Sequence, residues 1–405
     1  MKPIVRAGRM KPVHSDIRGP LFVEAMKRQK QGIDILKLNT GNPATFGFGL
    51  PDSIKNALME HMQDGVDYCD FKGMPQARQA ICDYETSKGI KGITPDDVFI
   101  GNGVSEVVSF ALTPLLNDGD EVLVPSPSYS LWGNSVYLED GKPVFYTCDE
   151  QANWYPDIQD IRSKITDKTK AIVIINPNNP TGVLYPKEIL LEIIQIARES
   201  GLLIFADEIY DRLVMDGKQH ISLASLTEDV PVITLNGLSK SHCLCGYRCG
   251  WMVISGPREL TEDYRQGIIQ LTSLRLCANT MAQIVIPAAL DDMETPASMV
   301  RPGGRIYEQR EATVRELEKI DGLSFVKNDA AFYVFPKLDV KKFNITNDKQ
   351  FAHDLLDVTN ILLVPGSGFD WKDPDHFRIV MLPQADILSD AIRRMGTFLD
   401  GYKQK

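Results

Sequence analysis

The chain has 405 residues, of which 43% are hydrophobic, and this is enough apolar material for a large core divided between two domains. The formal net charge is −10, with the acidic residues spread along the chain. This balance argues against nucleic acid or an anionic membrane as the main partner. Any basic residue at a functional site therefore needs a local explanation, such as a small anion.

Neither a secretory segment nor a membrane span is predicted. The first residues lack the continuous apolar stretch of a signal peptide, and the longest apolar runs, such as 171–175, have the length of a strand. Seven cysteines in a chain of this length do not form a disulfide framework, which predicts a reducing, cytoplasmic compartment. Cys243, Cys245 and Cys249 lack a second pair of ligands at zinc-site spacing, so no metal is predicted.

Short apolar runs alternate with helical stretches between about residues 95 and 255. Strands that are apolar on both faces and separated by helices predict an α/β fold, with a mostly parallel sheet covered by helices on both faces. In such sheets ligands bind at the carboxyl ends of the strands. The predicted strands are 97–101, 121–125, 142–147, 171–175, 202–206, 232–235 and 251–254, with helices starting near Ser105 and Ser130.

A different pattern follows this region and predicts a smaller α/β domain. One long helix is predicted over 258–290, and Pro302-Gly303-Gly304 marks a break after it. The later elements are a helix over 306–320, short strands at 325–326, 332–335, 361–364 and 377–380, and a closing helix from about 386. The predicted organisation is an N-terminal segment (1–45) that packs with the small domain, a large domain (46–295) and a small domain (296–405).

Lys240 is the first candidate functional residue. It lies in a polar turn just after the predicted strand 232–235, and a cation at the end of a buried strand needs an anion or a reaction partner. Asn179, Asp207 and Tyr210 lie just after other strand ends. Together these residues indicate a lysine that holds the aldehyde of pyridoxal phosphate, with partners for the other parts of that cofactor.

Each partner also has a purely structural explanation. Asp207 ends an apolar run, where a protonated pyridine nitrogen would compensate its buried charge, but an aspartate that caps the next helix explains the pattern equally well. Tyr210 could direct its hydroxyl to the same ligand or pack in the core. Asn179 could present its amide to a ligand from a proline-rich loop, or the loop could be an ordinary turn.

Phosphate binding is predicted at the start of a helix. The segment Gly101-Asn-Gly103-Val104-Ser105 joins a strand to a helix, where free N–H groups and the helix dipole favour phosphate, although Ser105 could be a simple N-cap. Arg248 would add a permanent positive charge. Tyr129 could stack on a planar cofactor or pack in the core. The conjunction of these candidates at successive strand ends favours one cofactor site over separate structural roles.

Four motifs in this order resemble class I pyridoxal-phosphate aminotransferases of fold type I, over the whole chain. They are Asn176-Pro-Asn-Asn-Pro-Thr-Gly182, Asp207-Glu-Ile-Tyr210, Ser239-Lys240 and Gly246-Tyr-Arg248. The resemblance implies that Lys240 forms a Schiff base with the cofactor and that Asp207 pairs with its ring nitrogen. It also implies that Tyr210 and Asn179 bind the phenolic oxygen, that Tyr129 stacks on the ring, and that Arg248 binds the phosphate with the backbone of Gly103, Val104 and Ser105.

The resemblance further implies substrate and subunit contacts. Arg378 would bind the substrate α-carboxylate, with Asn179 and Gly41 also in contact with the substrate. Tyr68 would reach the phosphate of a neighbouring subunit, which implies a homodimer with shared active sites. Many relatives carry a serine three residues before the lysine, where this chain has Gly237, so Ser239 or backbone groups would complete the phosphate site.

The implied reaction is ping-pong transamination, in which Lys240 moves a proton. Segments 15–20 and 274–279 are similar to those of alanine aminotransferases, so the prediction is L-alanine + 2-oxoglutarate = pyruvate + L-glutamate. Glutamate requires a cation for its distal carboxylate; Arg18 is the first candidate and Arg275 the second, and an ordinary salt bridge explains either equally well. The alternatives are an aspartate or broad-specificity aminotransferase and, less favoured, a pyridoxal-phosphate C–S lyase.

Overall fold

The computed structural model describes residues 2–405 as fifteen strands and sixteen α-helices. The strands are β1 (Leu36–Lys37), β2 (Val98–Asn102), β3 (Glu121–Ser126), β4 (Lys142–Asp149), β5 (Tyr155–Pro156), β6 (Thr169–Ile175), β7 (Leu203–Asp207), β8 (Val232–Gly237), β9 (Cys249–Ser255), β10 (Leu323–Ser324), β11 (Tyr333–Val334), β12 (Lys337–Leu338), β13 (Ile361–Leu362), β14 (Val364–Pro365) and β15 (Phe377–Val380). The helices are α1 (Pro20–Lys30), α2 (Asp52–His61), α3 (Pro75–Ser87), α4 (Val104–Leu112), α5 (Leu131–Leu138), α6 (Ile158–Lys164), α7 (Lys187–Ser200), α8 (Leu238–Ser241), α9 (Arg258–Arg275), α10 (Thr280–Ile284), α11 (Ile286–Asp291), α12 (Glu294–Val300), α13 (Arg305–Leu317), α14 (Val340–Phe343), α15 (Asp348–Thr359) and α16 (Ala385–Leu399).

Eight strands form a central sheet in the order β2-β9-β8-β7-β6-β3-β4-β5. Strands β3, β4, β6, β7 and β8 run parallel, whereas β9 is antiparallel to both its neighbours and β5 is antiparallel at the edge. All seven predicted strands are present, and no boundary differs by more than two residues. The predicted mostly parallel α/β sheet is therefore confirmed.

Strand β6 shows why polar and apolar residues do not alternate in the strands of this sheet. Its residues Ile172 and Ile174 pack into one buried cluster with α7, while Val173 and Ile175 pack into another with α4 and α5. Successive side chains of a strand point to opposite faces, so a sheet covered on both faces requires apolar residues at every position.

Two predicted elements of the second half were wrong. The helix over 258–290 is divided into α9, α10 and α11, because Leu276 has a φ of 79° and Asn279 accepts a hydrogen bond from the Met281 N–H at 3.1 Å, starting a new helix. The apolar pair Phe325 and Val326 forms no strand. These two side chains instead pack, without strand pairing, against separate hydrophobic clusters.

A second, smaller core lies in the C-terminal region. Helices α13, α15 and α16 pack around the strands β11 and β15 through a cluster that includes Phe351, Ile379 and Met395. The N-terminal segment contacts this region, because β1 pairs in parallel with β13 and Ala25 of α1 packs against Leu356. The domain boundaries near residues 45 and 295 stay a prediction.

Across residues 2–405, no single helix is long and apolar enough to cross a membrane. One pair, α9 with Thr280–Asp291, meets the length and composition criteria together but is bent by 119°.

Candidate active site

A cavity of about 750 Å³ opens at the carboxyl ends of β6 and β7, beside the start of α4. This is the edge at which ligands bind in parallel sheets. Twelve of the residues predicted from the sequence line it: Arg18, Gly41, Val104, Ser105, Tyr129, Asn179, Asp207, Tyr210, Ser239, Lys240, Arg248 and Arg378. Three others, Gly103, Tyr68 and Arg275, are not among the lining residues.

Lys240 lies in the short helix α8, directly after β8, and its amine projects into the cavity. The Nζ atom donates a hydrogen bond to the Gly41 carbonyl oxygen at 2.8 Å and lies 5.8 Å from the centre of the Phe332 ring. No carboxylate forms an ion pair with it within the described chain. An amine that projects into a cavity and has one neutral acceptor is available for a ligand or a reaction.

Asp207 is the last residue of β7 and is only 5% exposed. Burial raises the pKa of its carboxyl group to about 6, although a hydrogen bond from Trp132 lowers it. The Trp132 Nε1–H donates to Oδ2 at 3.1 Å, and the Ile209 N–H donates to Oδ1 at 3.4 Å. A buried carboxylate held by two neutral donors has no ion-pair partner within the described chain, and a cationic ring nitrogen would supply one.

A chain of polar contacts connects Tyr210 to Arg378. The Tyr210 hydroxyl lies 3.5 Å from Asn179 Nδ2 and 3.0 Å from the hydroxyl of Tyr333. Arg378 donates to Asn179 Oδ1 at 2.9 Å and to the Asn39 carbonyl oxygen. One amide thus orients a phenol and a guanidinium together.

Arg378 is 1% exposed, and burial lowers the pKa of its guanidinium. Its Nε atom is buried without a hydrogen-bond partner in residues 2–405. Its Cζ atom lies 4.6 Å from the centre of the Tyr333 ring and 4.5 Å from that of the Phe369 ring. A buried, ring-flanked arginine with an unused donor suits a planar carboxylate brought by a ligand.

On the opposite side of the cavity, backbone N–H groups and an arginine lie close together, as an anion-binding site requires. Gly103 precedes α4 with a φ of 84°, and a Cβ atom there would lie 2.2 Å from Arg248 Nη2. The free N–H groups at the start of α4 and the Arg248 guanidinium therefore converge. Arg248 has a φ of 56° and donates to the Cys245 carbonyl oxygen at 3.0 Å.

A steric constraint applies at Gly237, the position where the resemblance suggested a serine. Its φ is 174°, so the backbone is ordinary, but a Cβ atom would lie 2.5 Å from the Cys249 carbonyl oxygen of β9. At Gly250, its partner on β9, a Cβ atom would lie 2.4 Å from the Val104 backbone nitrogen. The two glycines bring β8, β9 and the start of α4 close together, and they leave no room for a serine side chain.

The structure separates the two candidate arginines for a distal carboxylate. Arg275 Nη1 lies 2.6 Å from Glu106 Oε2, and Nη2 donates to the carbonyl oxygens of Phe71 and Ile100 at 3.1 and 3.2 Å. Arg18 lines the cavity, is exposed, and forms no ion pair within the described chain. Arg275 is thus engaged in structural contacts, whereas Arg18 is available to a ligand.

Sequence reasoning missed three residues of the site: Trp132, Tyr333 and Cys245. Trp132 follows Tyr129 by three residues at a helix start, which was a weak local signal. Tyr333 lies in an apolar run typical of a core strand. Cys245 was considered only as a metal ligand, but it lines the cavity, with Sγ 3.0 Å from the Ser239 carbonyl oxygen. Tyr68, in contrast, is 76% exposed outside the cavity.

Comparison with known proteins agrees with this geometry. Residues 33–392 match the family described as aminotransferase class I and II. A glutamate-pyruvate aminotransferase AlaA from Haemophilus influenzae is 49% identical over 100% of both chains. A crystal structure of an aminotransferase from Escherichia coli has a TM-score of 0.98 at 46% identity, covering 100% of both chains. An alanine aminotransferase from Pyrococcus furiosus has a TM-score of 0.93 at 41% identity, covering 98% of this chain and 100% of that one.

The chain therefore belongs to the class I and II aminotransferase family, and its fold is that of the fold type I enzymes. Members of this family use pyridoxal phosphate to transfer an amino group between an amino acid and a 2-oxo acid.

Proposed function

We propose that this chain is a pyridoxal-phosphate-dependent alanine aminotransferase that catalyses L-alanine + 2-oxoglutarate = pyruvate + L-glutamate. The observation that carries the proposal is the cavity that combines Lys240, the buried carboxylate of Asp207 and the buried Arg378. The alanine assignment is supported by the full-length similarity to proteins named glutamate-pyruvate and alanine aminotransferases.

The residues present fit the cofactor. Asp207 is a buried carboxylate without a cation, and the Gly103 backbone approaches Arg248 where a side chain would collide. When bound, pyridoxal phosphate supplies an electron-accepting ring for the electron pair left behind by the substrate α-proton. Asp207 would face the ring nitrogen, and Arg248 with the first N–H groups of α4 would hold the phosphate.

The other side chains would orient the substrate and move its α-proton. Arg378 would bind the α-carboxylate bidentately, with Asn179 fixing the guanidinium through its 2.9 Å hydrogen bond. Lys240 would anchor the cofactor aldehyde and, once displaced by the substrate amine, would remove the substrate α-proton and deliver it to the cofactor carbon that carried the aldehyde. Tyr210 and Asn179 would donate to the phenolic oxygen, and Tyr129 would form a wall against the ring.

Substrate choice would depend on Arg18. Glutamate and 2-oxoglutarate carry a second carboxylate, whereas alanine and pyruvate carry only the one next to the reacting carbon. Arg18 lines the cavity without an ion pair in the described residues, so its guanidinium could meet that carboxylate without losing another partner.

A panel of half-reactions tests the function. The cofactor-loaded enzyme is mixed with alanine, glutamate, aspartate or valine, and the visible absorbance of the cofactor is followed. Alanine and glutamate should bleach it rapidly, with aspartate and valine much slower. Failure of alanine to bleach the enzyme would remove the alanine assignment, and fast bleaching by aspartate would favour the aspartate or broad-specificity alternative. Pyruvate release from cystathionine without any 2-oxo acid would indicate a C–S lyase.

The role of Lys240 has its own test. Lys240→Ala should abolish transamination while the protein still binds the cofactor noncovalently. The matched control is Lys218→Ala, which removes an exposed lysine paired with Asp329 at 2.6 Å. Substantial turnover by Lys240→Ala would contradict the assigned role.

We also infer a homodimer with shared active sites. Tyr68 belongs to an exposed apolar surface, and the segment containing it contacts the end of α9 through the hydrogen bond from Arg275 to the Phe71 carbonyl oxygen. The surface comprises Met59, Met62, Val66, Tyr68, Leu274 and Leu276, which are between 53% and 82% exposed. An exposed apolar surface of this kind is typical of a subunit interface.

Hybrid dimers test whether Tyr68 acts in the partner's site. Tyr68→Ala and Lys240→Ala variants, each of low activity, would be dissociated, mixed and reassociated. Each hybrid dimer then contains one site with both native residues, so about a quarter of the wild-type activity should return after random reassociation. No recovery, despite hybrid formation shown by native mass spectrometry, would contradict shared sites.

A further inference from the structure

A buried ionic cluster lies behind the candidate active site. Lys88 follows α3, and its Nζ atom lies 2.7 Å from Glu208 Oε2, 2.8 Å from Glu85 Oε2 and 3.1 Å from Asp211 Oδ2. The lysine side chain is 13% exposed, and the three carboxylate side chains are at most 4% exposed. Charges this deeply buried destabilise a protein unless each has its partner.

The cluster is bonded to the segments that carry Asp207, Tyr210 and Lys240. Glu208 directly follows Asp207 and Asp211 directly follows Tyr210, so the ammonium contacts both ends of the segment 208–211. Asp211 Oδ2 also accepts a hydrogen bond from Asn236 Nδ2 at 2.8 Å. Asn236 is in β8, immediately before the turn that presents the lysine of the active site.

The loop that presents Asn179 is connected to the same cluster. His220 Nε2 lies 4.0 Å from Glu208 Oε2 and 3.1 Å from the carbonyl oxygen of Asn176, the first residue of that loop. Glu208 Oε1 accepts from Ser222 Oγ at 2.9 Å, which ties the segment bearing His220 to the same carboxylate. Three cofactor-facing segments therefore share one set of buried contacts.

The positive charge of this cluster is the Lys88 ammonium. The ligand atoms of Glu208, Asp211 and His220 lie within 4.8 Å of one another, a spacing that also suits a metal cation. The ammonium, however, already contacts both carboxylates. Burial lowers the pKa of His220, so the imidazole adds no charge near neutral pH. Removing Lys88 would leave the carboxylates without compensation.

Building on the function proposed above, we propose that Lys88 is a positioning residue whose buried ammonium, through Glu208 and Asp211, holds the segments carrying Asp207, Tyr210, Asn179 and Lys240 in the geometry that binds the cofactor. It touches neither cofactor nor substrate. Its contribution is the charge, because the carboxylates on either side of Tyr210 can approach each other only around a cation.

The decisive variant is Lys88→Met, which keeps an unbranched side chain, one atom shorter, and removes the charge. Its matched control is Lys91→Met, since Lys91 is 71% exposed and pairs only with Glu228, at 2.7 Å. Equilibrium dissociation constants for pyridoxal phosphate are measured without substrate. Lys88→Met should bind the cofactor roughly 10- to 100-fold more weakly, as expected when one partner of a buried charge pair is lost. Lys91→Met should stay within about two-fold of the wild type.

Two further variants separate charge from packing. Lys88→Arg keeps the positive charge and should recover most of the lost affinity. The double variant Lys88→Met/Glu208→Gln removes one negative charge with the positive one, and it should bind the cofactor more tightly than Lys88→Met alone. If Lys88→Met does not fold, recovery of folding and binding by these two variants supports the proposal. If neither recovers binding, the proposal is wrong.

The pH dependence supplies a signature that loss of packing would not produce. The titratable and charged groups around the ammonium are Tyr84, Glu85, Glu208, Asp211, Arg212 and His220. Without the ammonium, the carboxylates gain a proton more easily, so the cofactor affinity of Lys88→Met should improve as the pH falls from 8.5 to 6.5. A pH profile parallel to that of Lys91→Met would overturn the proposal.

Failure of the proposal and failure of the function are distinguishable. If the wild type converts alanine but Lys88→Met matches Lys91→Met in cofactor affinity, only the role of Lys88 is wrong. If the wild type binds no pyridoxal phosphate, the function is wrong, and the thermal stability of the cofactor-free variants decides the role of Lys88. Lys88→Met should then be less stable than Lys88→Met/Glu208→Gln at pH 8.5, and equal stability would overturn the proposal.

Discussion

Replacing Trp132 by phenylalanine tests how the site controls the charge of Asp207. The substitution removes the Nε1–H that donates to Asp207 Oδ2 at 3.1 Å and keeps an aromatic ring beside Phe205, whose ring centre lies 5.4 Å away. A hydrogen bond to a charged group contributes about 1.5–3 kcal/mol. Because one pKa unit corresponds to about 1.4 kcal/mol, the pKa of Asp207 should rise from about 6 to roughly 7–8.

This shift has a calculable effect on cofactor binding, since only the ionised carboxylate pairs with a protonated ring nitrogen. With a pKa of about 7.5, roughly a tenth of the variant is ionised at pH 6.5, against about three-quarters of the wild type. The dissociation constant for pyridoxal phosphate should therefore be about eight-fold higher at pH 6.5 and nearly unchanged at pH 8.5.

The assay is a titration with pyridoxal phosphate followed by absorbance, at pH values from 6 to 9. Trp154→Phe is the control for lost ring volume, because Trp154 is 1% exposed and lies in a different part of the core. A Trp132→Phe profile parallel to the wild type at every pH would refute the reasoning.

Three further changes have defined outcomes. The pKa of Asp207 is raised from 3.8 to about 6, so its ionisation should lower the free energy of unfolding of the cofactor-free protein by about 2–3 kcal/mol as the pH rises from 4 to 7. In urea unfolding, Asp207→Asn should lack this decrease, and it should also reduce transamination sharply. The same pH dependence of stability in Asp207→Asn and the wild type would disprove the assignment. Gly237→Ser should lower the free energy of unfolding by about 1–3 kcal/mol, because its Cβ would meet the Cys249 carbonyl oxygen at 2.5 Å. The control in thermal unfolding is Gly246→Ser, because a Cβ at Gly246 meets nothing within 4 Å. Equal melting temperatures of the two variants would contradict the steric argument. Arg18→Ala should raise KM for 2-oxoglutarate by roughly 10- to 100-fold and leave KM for alanine within about two-fold, and an effect of equal size on both substrates would exclude the specificity role.

The pattern of apolar residues predicted the central sheet well, because the residues of each strand show by their own hydrophobicity that the strand is buried. Strands β6 and β7 are apolar at nearly every position, and Asp207 interrupts that pattern at the point where β7 ends. A polar residue in such a place is visible without knowledge of distant contacts. The break after α9 was not visible, because the polar and apolar residues keep a helical spacing through Leu276, whose positive φ ends the helix.

Pairings between distant segments could not be predicted. Tyr333 lies 123 residues from Tyr210 in sequence, yet their hydroxyl groups are 3.0 Å apart. The sequence suggested a missing phosphate ligand at Gly237, but the structure shows that the backbone of β9 excludes any side chain there. Arg18 and Arg275 were equal candidates until the fold placed one in the cavity and the other against Glu106.

The sequence by itself determined the class of fold, the order of the strands along the chain and the identity of the residues at the strand ends, because these depend on the burial and hydrogen bonding of near neighbours. Only the tertiary structure decided which of those residues share a cavity, which charges are already paired, and that Lys88 lies among three carboxylates behind the site. The contacts of Lys88 with Glu208 and Asp211 join segments 120 and 123 residues apart, and their distances are set by the packing of the whole sheet and its helices.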